Sequence, residues 1–236
     1  MCRREYEISF GNLAHLESVN LSLSEHARMR LRGKIDRVDL YEDEEHVYVK
    51  VIDYKTGAKA FQLGEMYHGL QLQLIVYLNA VMEMEEQKYP EKEIVPAGIF
   101  YYQMKDPFVE KEVRENLGEK AVLKELKPDG IVNSSEEVIT HLDRSFSGNS
   151  DVIPVGRNKD QSLSKTSKVL SGRGFNILSE YTDQILNRIG QRILDGEAEI
   201  LPYELGGKTG CDYCPYQGIC GLIRKYRGMS IGNFPN

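Results

Sequence analysis

The sequence predicts a protein of the α/β class. Two observations carry that prediction. Residues 30–55 hold two period-two runs of the kind strands make, and residues 62–88 and 175–194 carry apolar side chains at spacings of three and four, as helices do. With 236 residues, 41% hydrophobic and 28% charged, the chain has ordinary globular composition and can bury a sizeable core. A disordered, collagen-like or small disulfide-scaffold protein is excluded. No apolar run approaches the roughly 18 residues of a membrane span, and Met1 to Glu7 contain no apolar leader segment. No membrane partner is expected, and the expected location is the cytoplasm.

Each element follows from local pattern. In the run 30–40, Ile35 and Arg37 are expected on one face, and Asp36, Val38 and Leu40 on the other. An acidic turn, Tyr41 to Glu45, leads into 46–55, where Val47, Val49, Val51, Asp53 and Lys55 share a face. The two runs read as a β-hairpin closed by Thr56-Gly57. Leu63, Met66, Leu70, Leu74, Tyr77 or Leu78, and Val81 predict one helix over 62–88, ended by Pro90. Residues 96–104 read as a buried third strand, broken at Asp106-Pro107, and Phe108 to Val113 as a fourth. The stretch 126–172 is rich in Ser, Gly, Asn and Asp. It reads as a peripheral excursion or hairpin, with a helix near 135–145 and a strand near 151–156. Leu178, Tyr181, Ile185, Ile189 and Ile193 predict the last long helix, with Gly196 as its C-cap. Residues 1–205 are expected to form the core, entered mid-stream at its start, and 206–236 a cysteine-rich tail.

Asp36 and Asp53 lie on neighbouring predicted strands and can converge on a divalent cation. Hard carboxylate oxygens suit Mg²⁺ or Mn²⁺. The backbone carbonyl of Tyr54 offers a further oxygen. Lys55 shares the face of Asp53, where an ammonium can position a nucleophilic water and stabilise charge on a phosphoryl group. An Asp-x-Lys on a strand is usually a solvated face, but this pair continues the apolar face of Val47, Val49 and Val51. Gln73 and Tyr77, at i and i+4, share a helix face. Either both reach the site, or Tyr77 is core and Gln73 is surface. Gln71 points elsewhere on the helix.

Gly33-Lys34-Ile35-Asp36, then Asp53-Tyr54-Lys55, then Gln73-Leu74-Ile75-Val76-Tyr77, taken in that order, resemble the RecB-like branch of the PD-(D/E)XK nucleases. The resemblance implies a restriction-endonuclease-like α/β core, a central mixed sheet flanked by helices. It implies that Asp36 and Asp53 bind Mg²⁺, that Lys55 assists the attacking water, and that Gln73 and Tyr77 support the site or contact DNA. That branch also carries a helix-borne His or Glu ahead of the first Asp. Glu7, His15, Glu17 and His26 are available here, none of them in a convincing copy of that helix.

Cysteine usage is uneven. Cys2 stands alone, whereas Cys211, Cys214 and Cys220 crowd together. The cluster reads as a metal site in a reducing compartment, not a disulfide framework. Cys211-x-x-Cys214-Pro215-x-x-x-x-Cys220 is similar to the last three cysteines of iron–sulfur nuclease domains, and the chain most resembles the B-type subunits of ATP-dependent helicase/deoxyribonucleases. This implies a [4Fe–4S] cluster, whose fourth thiolate comes from upstream, with Cys2 a bystander. Zinc on the three cysteines with His68 or His141 stays open. The resemblance further implies single-stranded or duplex-end DNA as substrate and a helicase–nuclease A subunit as partner. Gly206-Gly207-Lys208-Thr209 lacks the earlier glycine of a phosphate-binding loop, so a loop and no ATPase motor is expected there.

The net charge is −6, unusual for a free-standing DNA-binding domain. Arg28, Arg30, Arg32, Lys34 and Arg37 nevertheless cluster ahead of and within the first motif strand. They are either a phosphate-contact stripe or a charged, solvated edge. Three functional readings result. The first is a metal-dependent DNA exonuclease domain acting in double-strand-break resection. The second is a non-catalytic DNA- or partner-binding module with a nuclease fold. The third is a free-standing exonuclease of the CRISPR-adaptation type.

Overall fold

The hairpin expected from the runs 30–40 and 46–55 lies inside a six-stranded mixed sheet, its first strand beginning at Lys34. The computed structural model describes residues 2–10, 15–57, 59–104, 122, 124–200 and 202–220. The sheet strands are β1 (Cys2–Ser9), β4 (Lys34–Glu42), β5 (His46–Lys55), β6 (Glu93–Gln103), β7 (Asp129–Asn133) and β8 (Val169–Leu170), side by side in that order. Two short strands, β2 (Asn20–Ser22) and β3 (Arg28–Arg30), form a separate antiparallel ribbon. The pairs β1–β4, β4–β5 and β6–β7 are antiparallel, while β5–β6 and β7–β8 are parallel. The α/β core with a central mixed sheet is therefore observed. Cα clustering divides the chain into two compact units, Met1–Gly190 and Gln191–Asn236.

Helices complete the first unit. They are α1 (Leu63–Tyr67), α2 (Gln73–Lys88), α3 (Glu136–Leu142) and α4, which begins at Gly172 and ends at Leu194 in the second unit. The helix α2 is the crossover that a parallel β5–β6 pair requires. Its Leu74, Ile75, Leu78 and Val81 join Val47, Val49 and Val51 of β5 in the main core. The other face of the sheet is covered separately, where Ile52, Phe100 and Val132 pack with Ile139 of α3, Ile153 and Val155. Both faces of β5 are thus buried. Edge strand β1 is tied to α2 by Arg3, whose guanidinium donates to both carboxylate oxygens of buried Glu85 at 2.9 and 3.0 Å.

Several expectations need correction. The single helix over 62–88 is two helices. Gly69 adopts φ +78, with its N–H on Met66 O and the Leu70 N–H on Glu65 O, the paired bonds of a Schellman stop. The third strand begins at Glu93, and Pro96, which has no N–H, sits inside it where the β5–β6 register shifts between Val49 and Lys50. The stretch 126–172 is not peripheral. It supplies β7, β8 and four of the six buried residues of the second core cluster. Residues 151–156 form no strand; a single bridge joins Asn149 to Gly156. The helix near 135–145 is α3, and the strand expected at Phe108 to Val113 lies outside the described residues. β1 was not anticipated, because its charged residues mask the alternation.

In the second unit, Gly196 caps α4 as expected, with φ +72 and the Glu197 N–H on Arg192 O. Gly206-Gly207 is the turn of a small ribbon, β9 (Glu204–Leu205) with β10 (Lys208–Thr209), and a short helix α5 (Gln217–Cys220) follows. Among the described residues no helix is long and apolar enough to cross a membrane.

Gly69→Ala places a Cβ on a left-handed residue and is expected to cost about 1–2 kcal/mol, read as a lower urea midpoint. An unchanged midpoint would show that the helix break does not depend on this glycine.

Candidate active site

Asp53 and Lys55 occupy the last turn of the pleat on β5. Asp53 follows Val51 on the apolar face and is only 2% exposed. Its Oδ2 is buried and in ion-pair contact with the Lys55 ammonium. Burial pushes the Asp53 carboxyl above its ordinary pKa; Lys55 opposes this, and the nearby Asp36 charge adds to it. A group in this state is poised to gain from an added cation.

Asp36 stands where the β4–β5 ladder ends. The last pair is Arg37 with Ile52, and the next amide, Tyr54 N–H, donates instead to Asp36 Oδ2 at 2.8 Å. The backbone is irregular here. The ladder to β1 skips Glu7 and Asp36, and Glu7 takes φ +57. Ile35, expected to share the face of Arg37, is consequently buried in the same core as Val38 and Leu40. Arg37 departs from the basic group, held by Asp39 through bonds of 2.7 and 2.8 Å. The Tyr54 side chain packs with the second core cluster, so only its backbone is at the site.

Gln73 is the first residue of α2, and the break before it sets where it faces. Lys55 Nζ donates to Gln73 Oε1 at 3.2 Å, and Gln73 Nε2 donates to the Tyr77 hydroxyl at 2.8 Å. Asp53, Lys55, Gln73 and Tyr77 thus form one continuous chain of polar contacts. Tyr77 is core as well, packed edge-on against Phe10 with ring centroids 5.6 Å apart. Gly33 makes room for both rings. A Cβ there would lie 2.5 Å from Phe10 Cζ and 3.3 Å from Tyr77 Cε1.

Tyr101, on the strand β6 next to β5, also borders the site. It is fully buried and in register with Asp53. Lys55 and Lys59 lie over its ring at 5.6 and 4.9 Å, and its hydroxyl has no partner. Burial and the charges of Asp53 and Glu65 hold that hydroxyl protonated. Gln71 is also buried. It donates to Ala60 O and Glu65 Oε2 and accepts from Gln62 N–H, which pins the segment after Lys55. Asp129 on β7 adds a bond to Phe61 N–H at 2.8 Å. A polar residue in a short interhelical link gives no period to read, so these roles carried no sequence signal.

The remaining candidates fall elsewhere. Among the described residues no α-helix precedes β4. Glu7 is on β1, ion-paired with Lys34 at 2.9 Å, Glu17 is in a 3₁₀ turn with His15 just ahead of it, and His26 is in the turn between β2 and β3. Asp43, His46 and Glu137 form a separate group whose ligand atoms lie within 4.8 Å of one another. That group is near the opposite end of β5 from Asp53, about 23 Å away at the usual rise per residue. Asp43 Oδ1 there already accepts from the Glu45 and His46 amides. In the second unit, Cys211 and Cys214 are free thiols joined by a backbone bond, Cys214 N–H to Cys211 O, of 3.1 Å. The side chain of Cys220 lies outside the described residues.

Comparison with known proteins identifies the family. The chain is 42% identical over 214 residues to the B-type subunit of the ATP-dependent helicase/deoxyribonuclease of Lachnoclostridium phytofermentans, covering 87% of this chain and 18% of that protein. It is 42% identical over 232 residues to the same-named protein of Alkaliphilus metalliredigens, covering 97% and 20%, and 34% identical over 225 residues to that of a Thermoanaerobacter species, covering 94% and 19%. The chain thus spans about a fifth of the length of these curated relatives. The family profile described as the PD-(D/E)XK nuclease superfamily matches residues 3–221. With the motif strands, the mixed sheet and nearly its whole length accounted for, the chain belongs to the PD-(D/E)XK nuclease superfamily.

Proposed function

We propose that the chain is a metal-dependent deoxyribonuclease domain, an exonuclease module of a helicase–nuclease complex that trims DNA ends at double-strand breaks. The observation that carries this reading is the buried Asp53 carboxylate, ion-paired with Lys55 and beside Asp36 where the ladder opens. The donor set is hard oxygen throughout: Asp36, Asp53 and the Tyr54 carbonyl. A buried Oδ2 that already faces a cation, the Lys55 ammonium, fits such an ion. Mg²⁺ or Mn²⁺ bound there supplies Lewis-acid stabilisation of phosphoryl charge and eases deprotonation of water.

The protein's own groups provide the rest. Lys55, steered by Gln73 Oε1, holds an ammonium that can orient a water attacking phosphorus and stabilise the negative charge that accumulates on the phosphoryl oxygens. Gln73 is oriented by its bond to Tyr77, and Tyr77 by Phe10 and the space at Gly33. Gln73 and Tyr77 are therefore positioning residues in this reading. We also assign Cys211, Cys214 and Cys220 to a [4Fe–4S] cluster, since neighbouring thiolates suit iron–sulfur ligation. DNA as substrate and a motor-bearing A subunit as partner draw support from the names of the relatives, which are far longer proteins.

With end-labelled single-stranded DNA and Mg²⁺, the chain is expected to release nucleotides, and a chelator to stop it. Asp36→Ala, Asp53→Ala and Lys55→Ala should each slow cleavage by about 10²-fold or more, and Tyr77→Phe by about 10-fold. Wild-type rates in Asp53→Ala would refute the assignment. Stability without metal offers a second check. The folded pKa of Asp53 is raised above the unfolded value of about 3.9. Its stabilising contribution is thus complete below that value and is lost as pH rises through the folded one. Asp53→Asn should flatten this part of the urea-midpoint profile above about pH 4, whereas a profile identical to wild type would show a solvated carboxylate. For the tail, anaerobic reconstitution should give iron and sulfide bound to the chain, reduced in Cys214→Ser. Zinc in their place would favour the zinc reading.

A further inference from the structure

The β2–β3 ribbon has one greasy and one cationic side. Met29 and Leu31 pack against the main core with Leu21 and Val19, while Arg28, Arg30, Arg32 and Lys34 are all exposed. Among the described residues Arg28, Arg30 and Arg32 have no carboxylate partner, in contrast to Arg3, Arg37 and Arg157. The three guanidinium groups and Asn20 line one open concavity of about 320 Å³. Arg30 is steered into place by donating from Nε to Asn20 Oδ1 at 3.1 Å. Three like charges gathered in one hollow repel each other unless an anion sits among them.

We infer that Arg28, Arg30 and Arg32 form a track for the phosphodiester backbone of a DNA single strand, running along the ribbon toward Asp36. The choice of ligand rests on the nuclease reading of Asp36, Asp53 and Lys55. Alternate residues of an extended chain stand about 6.7 Å apart. Cations at that interval on one face can meet successive phosphates of a single strand laid along it. The segment leads through Gly33 directly into the strand that carries Asp36. The surroundings set its direction. Arg28, but neither Arg30 nor Arg32, also lines a large cavity of about 820 Å³ with Glu17, Glu83, Glu86, Glu180 and Asp183, a surface that repels a polyanion. Toward the site, Lys34 is held only by an exposed pair with Glu7, which a phosphate can displace. The chain is net negative, so affinity for DNA has to be local.

The test is anisotropy of a fluorescent oligothymidine with the 236-residue chain, in chelator so that no strand is cut. The triple variant Arg28→Gln, Arg30→Gln, Arg32→Gln should raise Kd at least about tenfold and lower the slope of log affinity against log salt by about 2, near 0.7 per lost contact. Arg32→Gln alone should give about a third of that slope change, which keeps the test open if the triple variant folds poorly. Arg173→Gln with Arg188→Gln, exposed on α4, should change neither quantity. Unchanged affinity and slope in the triple variant, or no binding by the wild-type chain, would overturn the track. So would aggregation of the variant with wild-type binding by its soluble fraction, which marks the arginines as edge protection. The nuclease reading is judged separately, by cleavage with Mg²⁺. A chain that binds through the arginines but never cuts would retain the track and lose the catalytic assignment.

Discussion

A carboxylate at the end of an apolar strand face costs several kcal/mol to bury unless a cation meets it, and the surroundings of Asp53 are organised around that cost. Lys55 lies two residues on, the nearest position that shares its face. A long flexible ammonium is a useful partner only when it is held, and Gln73 holds it. Gln73 in turn requires a fixed Tyr77, and Tyr77 requires the space that Gly33 leaves beside Phe10. The requirement passes outward from one buried oxygen to the first residue of α2 and to the approach of β4. Removing any link returns the cost to Asp53.

Asp36 enters on different terms. It is placed by the backbone, not by packing, since its oxygen accepts the amide that the ladder leaves unpaired at Tyr54. The skipped pair with Glu7 and the positive φ opposite are the local price of opening two strands at that point. Irregular pairing at a sheet margin commonly re-aims a side chain, and here it sets one carboxylate beside another. Two like charges so close further raise the proton affinity of Asp53, a tension that a divalent ion relieves.

Much of this was legible in the sequence, for identifiable reasons. The alternation from Val47 to Lys55 survives in the structure because β5 is long and its hairpin partner is adjacent. The pairing of Gln73 with Tyr77 is a helix-surface rule and held once the helix began at Gln73. What failed was whatever depended on a single backbone event. The stop at Gly69 is invisible to a periodicity that continues through Leu70 and Leu74. The turn at Asp36 moved Ile35 into the core against strict alternation. β7 is a short strand, Asp-Gly-Ile-Val-Asn, inside a polar stretch, and only its neighbours identify it as sheet. The pinning by Gln71 and Asp129 is tertiary and leaves no local trace.

The sequence distances within the site have a kinetic meaning. Gly33, Asp36, Asp53, Lys55, Gln73 and Tyr77 lie on or just ahead of one hairpin and on α2, with the short α1 between them. Their contacts close short loops, and short loops are the cheapest in chain entropy. The bond from Asp129 to Phe61 spans 68 residues, and β8 joins the sheet later still. Chains rich in local contacts fold fast, because little chain entropy is lost before the contacts are made. The carboxylates are held by near neighbours in sequence, whereas the segment after Lys55 that borders them is held twice, locally by Gln71 and from a distance by Asp129 on β7. The candidate site and its rim thus differ in how far along the chain their holders lie.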